Sequence, residues 1–307
     1  MTGRIAGTGS YIPSQVLSNE DLSKIVDTSD QWIRERTGVL RRHIVKQDTT
    51  VSMAVKSAEA AILDAHINPE ELDMIIVSTI SSNLLMPCTA CEVQKKIGAV
   101  NAACFDLNAA CSGFLVAYST VLGYIEMGIV KKALIIGSEC MSKLLDWSDR
   151  STCILFGDGA GAVVIEAADG EKGAVVLHSD GEKGNALCLE THGKITMNGQ
   201  EVFRFAVSNV PKVIEELLHK MGKQREEIDA YILHQANQRI LDAIAKRLGV
   251  DKKYFPSNIR EYANTSSASI PILLDELKKN GDIDKGQQLI LAGFGGGLTW
   301  GAAYIRI

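Results

Sequence analysis

The chain is short of the features that mark linkers, leaders and membrane spans. Six prolines in 307 residues leave no proline-rich hinge. The opening residues, Met1 to Gly7, lack the apolar stretch of a secretory signal. One long apolar run exists, Leu289 to Ile305, but five glycines break it, three of them consecutive (Gly295, Gly296, Gly297). It reads as two short strands around a tight turn, not as a span. The seven cysteines are odd in number and scattered through apolar surroundings, which suits reduced thiols better than a disulfide framework. A net charge of −5 argues against bulk nucleic-acid binding. With 46% hydrophobic and 22% charged residues, disorder and fibrous architectures are excluded. We therefore expect a soluble, cytoplasmic protein.

Positive charge, scarce overall, is concentrated in two places. Arg34, Arg36, Arg41, Arg42 and Lys46 stand against Glu35 alone, and Arg239, Lys246, Arg247, Lys252, Lys253 and Arg260 against Asp242 and Asp251. Such patches suit a polyanionic partner, a phosphorylated cofactor or an acidic protein. An ordinary solvated helix face has the same signature.

Apolar runs alternate with amphipathic stretches. Val51, Ala54, Val55, Ala58, Ala61 and Ile62 fall on one helical face, and Val207, Val210, Val213, Ile214, Leu217, Leu218 and Met221 repeat the pattern. Between them lie strand-like runs at 74–77, 133–136, 231–233 and 289–291. This alternation predicts an α/β protein with largely buried sheets. The sequence also matches itself at a constant spacing of 156 residues. Glu70 to Ser78 falls on Glu226 to His234, Asn108 to Cys111 on Asn264 to Ser267, and Lys132 to Gly137 on Gln288 to Gly293. Three matches in one register mark a duplication, with halves expected at 1–169 and 170–307. Ligands of open α/β sheets bind beyond the carboxyl ends of the strands. Two such halves would bring the loops holding Cys111, His234 and Asn264 to one cleft.

Each residue has a bland reading and a chemical one. Cys111 follows a strand and opens a helix expected to end near Met127, where the helix dipole would lower its thiol pKa. A buried structural cysteine is the alternative. His234 closes a strand and precedes a helix, as a structural histidine also can. Asn264 reads equally as a helix cap. Cysteine, histidine and asparagine on equivalent loops outweigh the separate bland readings. Cys88 and Cys91 form a lone pair without a second set, so no metal site is expected. The glycine-rich stretches at 7–9, 157–161 and 293–297 run into strands instead of helices, which excludes a dinucleotide fingerprint.

The sequence resembles the β-ketoacyl-acyl-carrier-protein synthase III family of the thiolase-like superfamily. The likeness runs nearly end to end through Thr28-Ser-Asp-Gln-Trp-Ile33, Arg36-Thr-Gly38, Ala110-Cys-Ser-Gly-Phe114, Phe156-Gly-Asp-Gly-Ala-Gly161, His234-Gln-Ala-Asn237, Asn264-Thr-Ser266 and Phe294-Gly-Gly-Gly297. Elongating synthases would pair cysteine with two histidines, and thiolases would replace Asn264 by histidine. The resemblance implies an αβαβα layered homodimer that starts fatty-acid synthesis without a cofactor, acyl-CoA being a substrate. Cys111 would accept the acyl group. His234 and Asn264 would stabilise the enolate formed when malonyl-acyl carrier protein loses CO₂. The N–H groups of Cys111 and Gly296 would form the oxyanion hole. Trp32 and Arg150 would sandwich the adenine of CoA, with Thr28, Arg36, Gly199, Phe203, Ala236 and Asn237 along its path. Arg204, Gln235, Arg239, Lys246 and Arg247 would meet the carrier protein. Met86 stands where well-studied family members carry phenylalanine flooring the partner's acyl pocket, so the resemblance does not imply an acetyl-only starter. The rivals are a condensing enzyme of secondary metabolism with another acyl donor or acceptor, a papain-type cysteine hydrolase, and a non-catalytic carrier-binding relic. The duplication argues against the hydrolase, and retention of Cys111 and His234 against the relic.

Overall fold

The computed structural model describes residues 2–170 and 172–307. Its first sheet has five strands in the order Thr2–Tyr11, Gly159–Ala168, Lys132–Glu139, Met74–Ser78, Ala103–Leu107. The last three are mutually parallel and the first two pair antiparallel. The second sheet runs Ala174–Ser179, Thr299–Arg306, Gln288–Gly295, Ala230–Leu233, repeating the first four positions of that order. Met74–Ser78 and Ala230–Leu233 begin 156 residues apart, as do Lys132–Glu139 and Gln288–Gly295. The spacing breaks down at the sheet edge. Where the first sheet has Ala103–Leu107, the second places a short helix, Ile259–Tyr262.

Three hydrophobic clusters make five layers. Thr50–Asp64 and Thr89–Ile97 cover the outer face of the first sheet through Ala54, Ala58, Ala61 and Val93. Gly113–Glu126 and Ser269–Asn280 form the middle layer, where Phe114, Leu115, Tyr118, Ile270, Leu273 and Leu274 pack against both sheets at once. Gly199–Met221 and Gln238–Leu248 cover the second sheet through Val210, Ile214, Leu217, Ile240 and Ile244. Gly113–Glu126 is apolar nearly all round because it is sandwiched, whereas Ser269–Asn280 is apolar in its first half and turns charged toward its end at Glu276, Lys278 and Lys279. The order is αβαβα, the layering that the family resemblance implies for an α/β chain. Among the described residues no helix is long and apolar enough to cross a membrane.

Local chemistry sets the boundaries. Thr49 caps Thr50–Asp64 in a reciprocal box with Ser52, and Asn198 and Asn237 cap the two outer helices of the second half. The glycine-broken run is a hairpin, Gly295 facing Thr299 across its turn. Gly7 and Gly9 lie within the first strand, and a Cβ on either would come 2.4 Å from the backbone of Ala61. These glycines admit a helix, not a phosphate. Arg42 departs from its expected place in the basic surface. It is wholly buried, donating to Leu17 O, Asn19 Oδ1 and Ile154 O, because three carbonyl oxygens from two segments converge there.

Candidate active site

The strand Ala103–Leu107 ends in a tight turn whose Ala110 has φ +46°, a left-handed conformation costly for a residue with a Cβ. The turn Ala110–Ser112 feeds directly into helix Gly113–Glu126 and carries Cys111. Ser266, at the corresponding position of the second half, has φ +52° in the turn preceding Ser269–Asn280. The same strained elbow thus occurs twice. One copy presents the cysteine and the other follows Asn264. Gly295 lies against the first elbow: a Cβ there would stand 2.8 Å from Cys111 N and 2.9 Å from Cys111 Cβ. No other residue fits that contact without moving the turn.

His234 ends strand Ala230–Leu233 and is anchored by its N–H to Ala292 O at 2.8 Å. Its ring is 1% exposed, meets Phe294 edge-on at 5.4 Å, and places Nδ1 2.7 Å from Ser269 Oγ. Burial pushes its pKa down to about 3, so the imidazole is neutral at physiological pH. Asn264 is fixed by its N–H to Leu155 O and by its carbonyl, which accepts from Gly157. Its side-chain Oδ1 accepts the Ser266 N–H at 2.8 Å. Only the oxygen end of an amide can accept, so Nδ2 is left for the cavity. The cap and the chemical donor are two ends of one side chain.

Cys111, His234 and Asn264 line a single narrow cavity of about 180 Å³, together with Phe294 and Gly295. A second cleft of about 800 Å³ opens on the other side, lined by Met141, Phe156, Leu187, Leu189 and Gly296. Cys111 lines both and sits where they meet. Its thiol is 6% exposed and donates to Ser266 Oγ at 3.5 Å. The expected depression of its pKa is not found. Burial pushes the thiol up to about 12, outweighing the hydrogen bond with Ser266 and any helix dipole. The thiol is therefore protonated at neutral pH.

Residues 105–181 match the family described as 3-oxoacyl-[acyl-carrier-protein] synthase III, and residues 218–307 match its C-terminal region. The β-ketoacyl-[acyl-carrier-protein] synthase III of Clostridium acetobutylicum is 47% identical over 98% of both chains. The chain belongs to the β-ketoacyl-acyl-carrier-protein synthase III family. Among solved structures, the 3-oxoacyl-[acyl-carrier-protein] synthase III of Aquifex aeolicus superposes with a TM-score of 0.98 at 44% identity, covering 99% of this chain and all of that one. A priming β-ketosynthase from a polyketide pathway follows at TM-score 0.97 and 33% identity, covering all of this chain and 96% of its own.

The family's ligand positions distribute as follows. Arg36, Gly199, Phe203, Ala236 and Asn237 all line the narrow cavity with the three central residues. Trp32 is not among the lining residues; its ring lies 5.8 Å from the guanidinium of Arg36, which is, and 4.8 Å from that of Arg150. At 4.8 Å the Trp32–Arg150 pair stacks on itself, so an adenine ring between them must first displace Arg150. Thr28 Oγ1 is buried without a hydrogen-bond partner, a polar atom that a ligand could satisfy. Arg204, Arg239, Lys246 and Arg247 are exposed on the two outer helices. Gln235 is not with them. It is completely buried, its amide bonded to Leu233 O, Ser257 Oγ and the Asn258 N–H, because it braces the loop after His234 from within. Met86 is 87% exposed and turned away from its own chain's cavities. Among the described residues no cluster could hold a metal ion.

Three participants escaped the sequence reading: Ser269, Ser266 and Glu139. Ser266 and Ser269 lie inside the Asn264-to-Pro271 segment that the capping reading absorbed. Glu139 was detectable as an acid closing an apolar strand at its carboxyl end.

Proposed function

We propose that this enzyme loads an acyl group from acyl-CoA onto Cys111 and condenses it with malonyl-acyl carrier protein, releasing CO₂ and initiating fatty-acid synthesis. The observation that carries this reading is the shared cavity: a thiol, a neutral imidazole and an outward-facing amide converge at the end of one narrow passage. The passage admits a pantetheine arm, with the Trp32 and Arg150 pair at its mouth for the nucleotide. The larger cleft beyond Cys111 receives the acyl chain. Cys111 attacks the thioester, and the backbone N–H groups of Cys111 and Gly296 hold the oxyanion. After CoA leaves, malonyl-carrier enters by the same passage. His234 and the Asn264 amide donate to its thioester oxygen as charge develops there on loss of CO₂. Uncharged donors serve this step because a fixed cation would bind the malonyl carboxylate and hinder its departure. The carbanion then attacks the acyl-Cys111 thioester.

Several features support a homodimer of two halves per chain, 1–169 and 170–307. Leu84, Leu85 and Met86 form an apolar run on the surface, 50%, 99% and 87% exposed, beside the open side of the acyl cleft. A second copy covering that run would close the cleft, with Met86 as its adaptable floor. Arg204, Arg239, Lys246 and Arg247 offer the acidic carrier a positive surface. The enzyme acts in the cytoplasm with acyl-CoA as substrate and no cofactor of its own. Intact-protein mass spectrometry after exposure to acetyl-, isobutyryl- and longer acyl-CoAs tests the assignment. One acyl mass per chain, absent in Cys111→Ala, is expected; acylation mapping to Cys88, Cys153 or another thiol overturns it. The same panel distinguishes the rival reading of a priming enzyme for another pathway, which would refuse the starters of fatty-acid synthesis.

A further inference from the structure

Acylation requires Cys111 to lose its proton, and the neutral His234 is a weak base for it, its pKa held at about 3. A different acceptor is wired to the sulfur. Cys111 Sγ donates to Ser266 Oγ at 3.5 Å, and Ser266 Oγ donates to Glu139 Oε1 at 3.1 Å. Glu139 is fully buried at the carboxyl end of strand Lys132–Glu139. Ser267 Oγ also donates to Oε1, at 3.0 Å, while Thr79 Oγ1, the Ile80 N–H and Ser81 Oγ donate to Oε2 at 3.2, 3.1 and 2.8 Å. Among the described residues no cation lies within ion-pair distance of it. Burying a carboxylate on neutral donors alone is costly, and a neutral side chain would tie these loops together at less cost.

We propose that Glu139 is the proton store of the reaction, reached from Cys111 through Ser266. This rests on Cys111 being the acylated thiol. As Sγ bonds to the acyl carbon, its proton passes to Ser266 Oγ and the Ser266 hydroxyl proton passes to Glu139 Oε1. The acyl carbon–sulfur bond to CoA breaks, and the CoA thiolate takes a proton from water at the mouth of the passage. Glu139 stays protonated while the thioester exists, donating back to Ser266 with the polarity of the chain reversed. When the malonyl-derived carbanion expels the Cys111 thiolate, the proton returns along the same two bonds. The whole reaction consumes one proton, since a malonyl carboxylate becomes neutral CO₂. The relay assigns that uptake to acylation, before malonyl-carrier arrives. Burial raises the Glu139 pKa, as a store that must hold a proton requires, and Cys111 and Cys140 are the titratable groups within its field.

Proton counting tests this directly. The enzyme is mixed with acetyl-CoA or isobutyryl-CoA, without carrier, in weakly buffered indicator dye at pH 7, and acyl mass is measured on the same samples. One proton taken up per acyl group added is expected. Direct transfer from Cys111 to the departing CoA sulfur takes up none, so acyl mass without proton uptake overturns the relay. Absence of acyl mass would instead overturn the assignment of Cys111. Glu139→Gln should load about a hundred-fold more slowly and without uptake, whereas Glu139→Asp should restore one proton per acyl group. Glu139→Gln taking up a proton normally refutes the store. The wild-type count decides the matter even if the glutamine variant fails to fold.

Discussion

Ser269 Oγ stands 2.7 Å from His234 Nδ1 and, on its other side, accepts the Gln235 backbone N–H at 3.3 Å. The serine hydroxyl is free to donate its one hydrogen to Nδ1, since the Gln235 N–H occupies only one of its two acceptor positions. Donation from Ser269 to Nδ1 is the arrangement that keeps the imidazole proton on Nε2, where it can be donated to substrate. Ser269→Ala removes one neutral hydrogen bond, worth about 1 kcal/mol. Decarboxylation of malonyl-carrier should therefore slow about five- to ten-fold while acylation of Cys111 is unchanged. Separate assays of the two half-reactions check this. Equal slowing of both would show that the serine merely supports the fold.

The pKa of His234 has a consequence for stability. In the unfolded chain the imidazole titrates near its ordinary value of about 6.5, whereas in the folded chain it resists protonation down to about 3. Between those values the unfolded state binds the proton that the folded state refuses. Stability is therefore fully present above pH 6.5 and is lost as pH falls toward 3. In thermal denaturation over pH 4–7, His234→Gln should show a shallower acid loss than the wild type. An identical slope would place the acid sensitivity elsewhere.

The two donors and the thiol should separate kinetically. His234→Ala and Asn264→Ala are expected to acylate Cys111 and yet lose about 10²–10³ in decarboxylation, by analogy with deletion of an oxyanion-hole donor. Mass spectrometry for loading and CO₂ release for the second step give the two readings. If loading falls in parallel in both variants, the residues activate the thiol instead of stabilising an enolate.

Alkylation of Cys111 reports its proton. With burial raising the pKa to about 12, the iodoacetamide rate at Cys111 should keep climbing about ten-fold per pH unit from 8 to 10. A plateau near pH 7, mapped to Cys111 by peptide sequencing, would restore the helix dipole as the dominant influence.

The fold was legible because its signals are local or repeated. Alternating apolar runs mark buried strands, and the 156-residue register locates Cys111, His234 and Asn264 at equivalent strand ends. What stayed hidden depends on burial, to which the identity of a single residue is blind. Arg42 and Gln235 have the composition of surface residues, and only the converging carbonyls of other segments draw them inside. The Cys111 thiol was misjudged for the same reason. A helix start is visible in sequence, whereas the desolvation opposing it comes from walls supplied by both halves. Ser266 and Glu139 sit 127 residues apart, and no spacing rule joins them.

The two anionic ligands should depend on different residues. CoA is expected to meet Trp32 and Arg150, a stacked cation–aromatic pair at 4.8 Å, where contact is short-range and worth about 0.5–2 kcal/mol. The carrier is expected to meet Arg239, Lys246 and Arg247, whose attraction acts at long range and is screened by salt over about 8–10 Å. Arg239 lies 5.8 Å from the ring of Phe203, which lines the cavity, so the basic helix borders the passage. Arg239→Glu should raise the carrier KM strongly, most at low salt, with acyl-CoA loading nearly intact. Trp32→Ala should weaken loading with little response to salt. Both half-reactions, measured for each variant at low and high ionic strength, settle the point. If Arg239→Glu harms loading as much as carrier use, the basic helix belongs to the CoA site and the separation of the two surfaces is wrong.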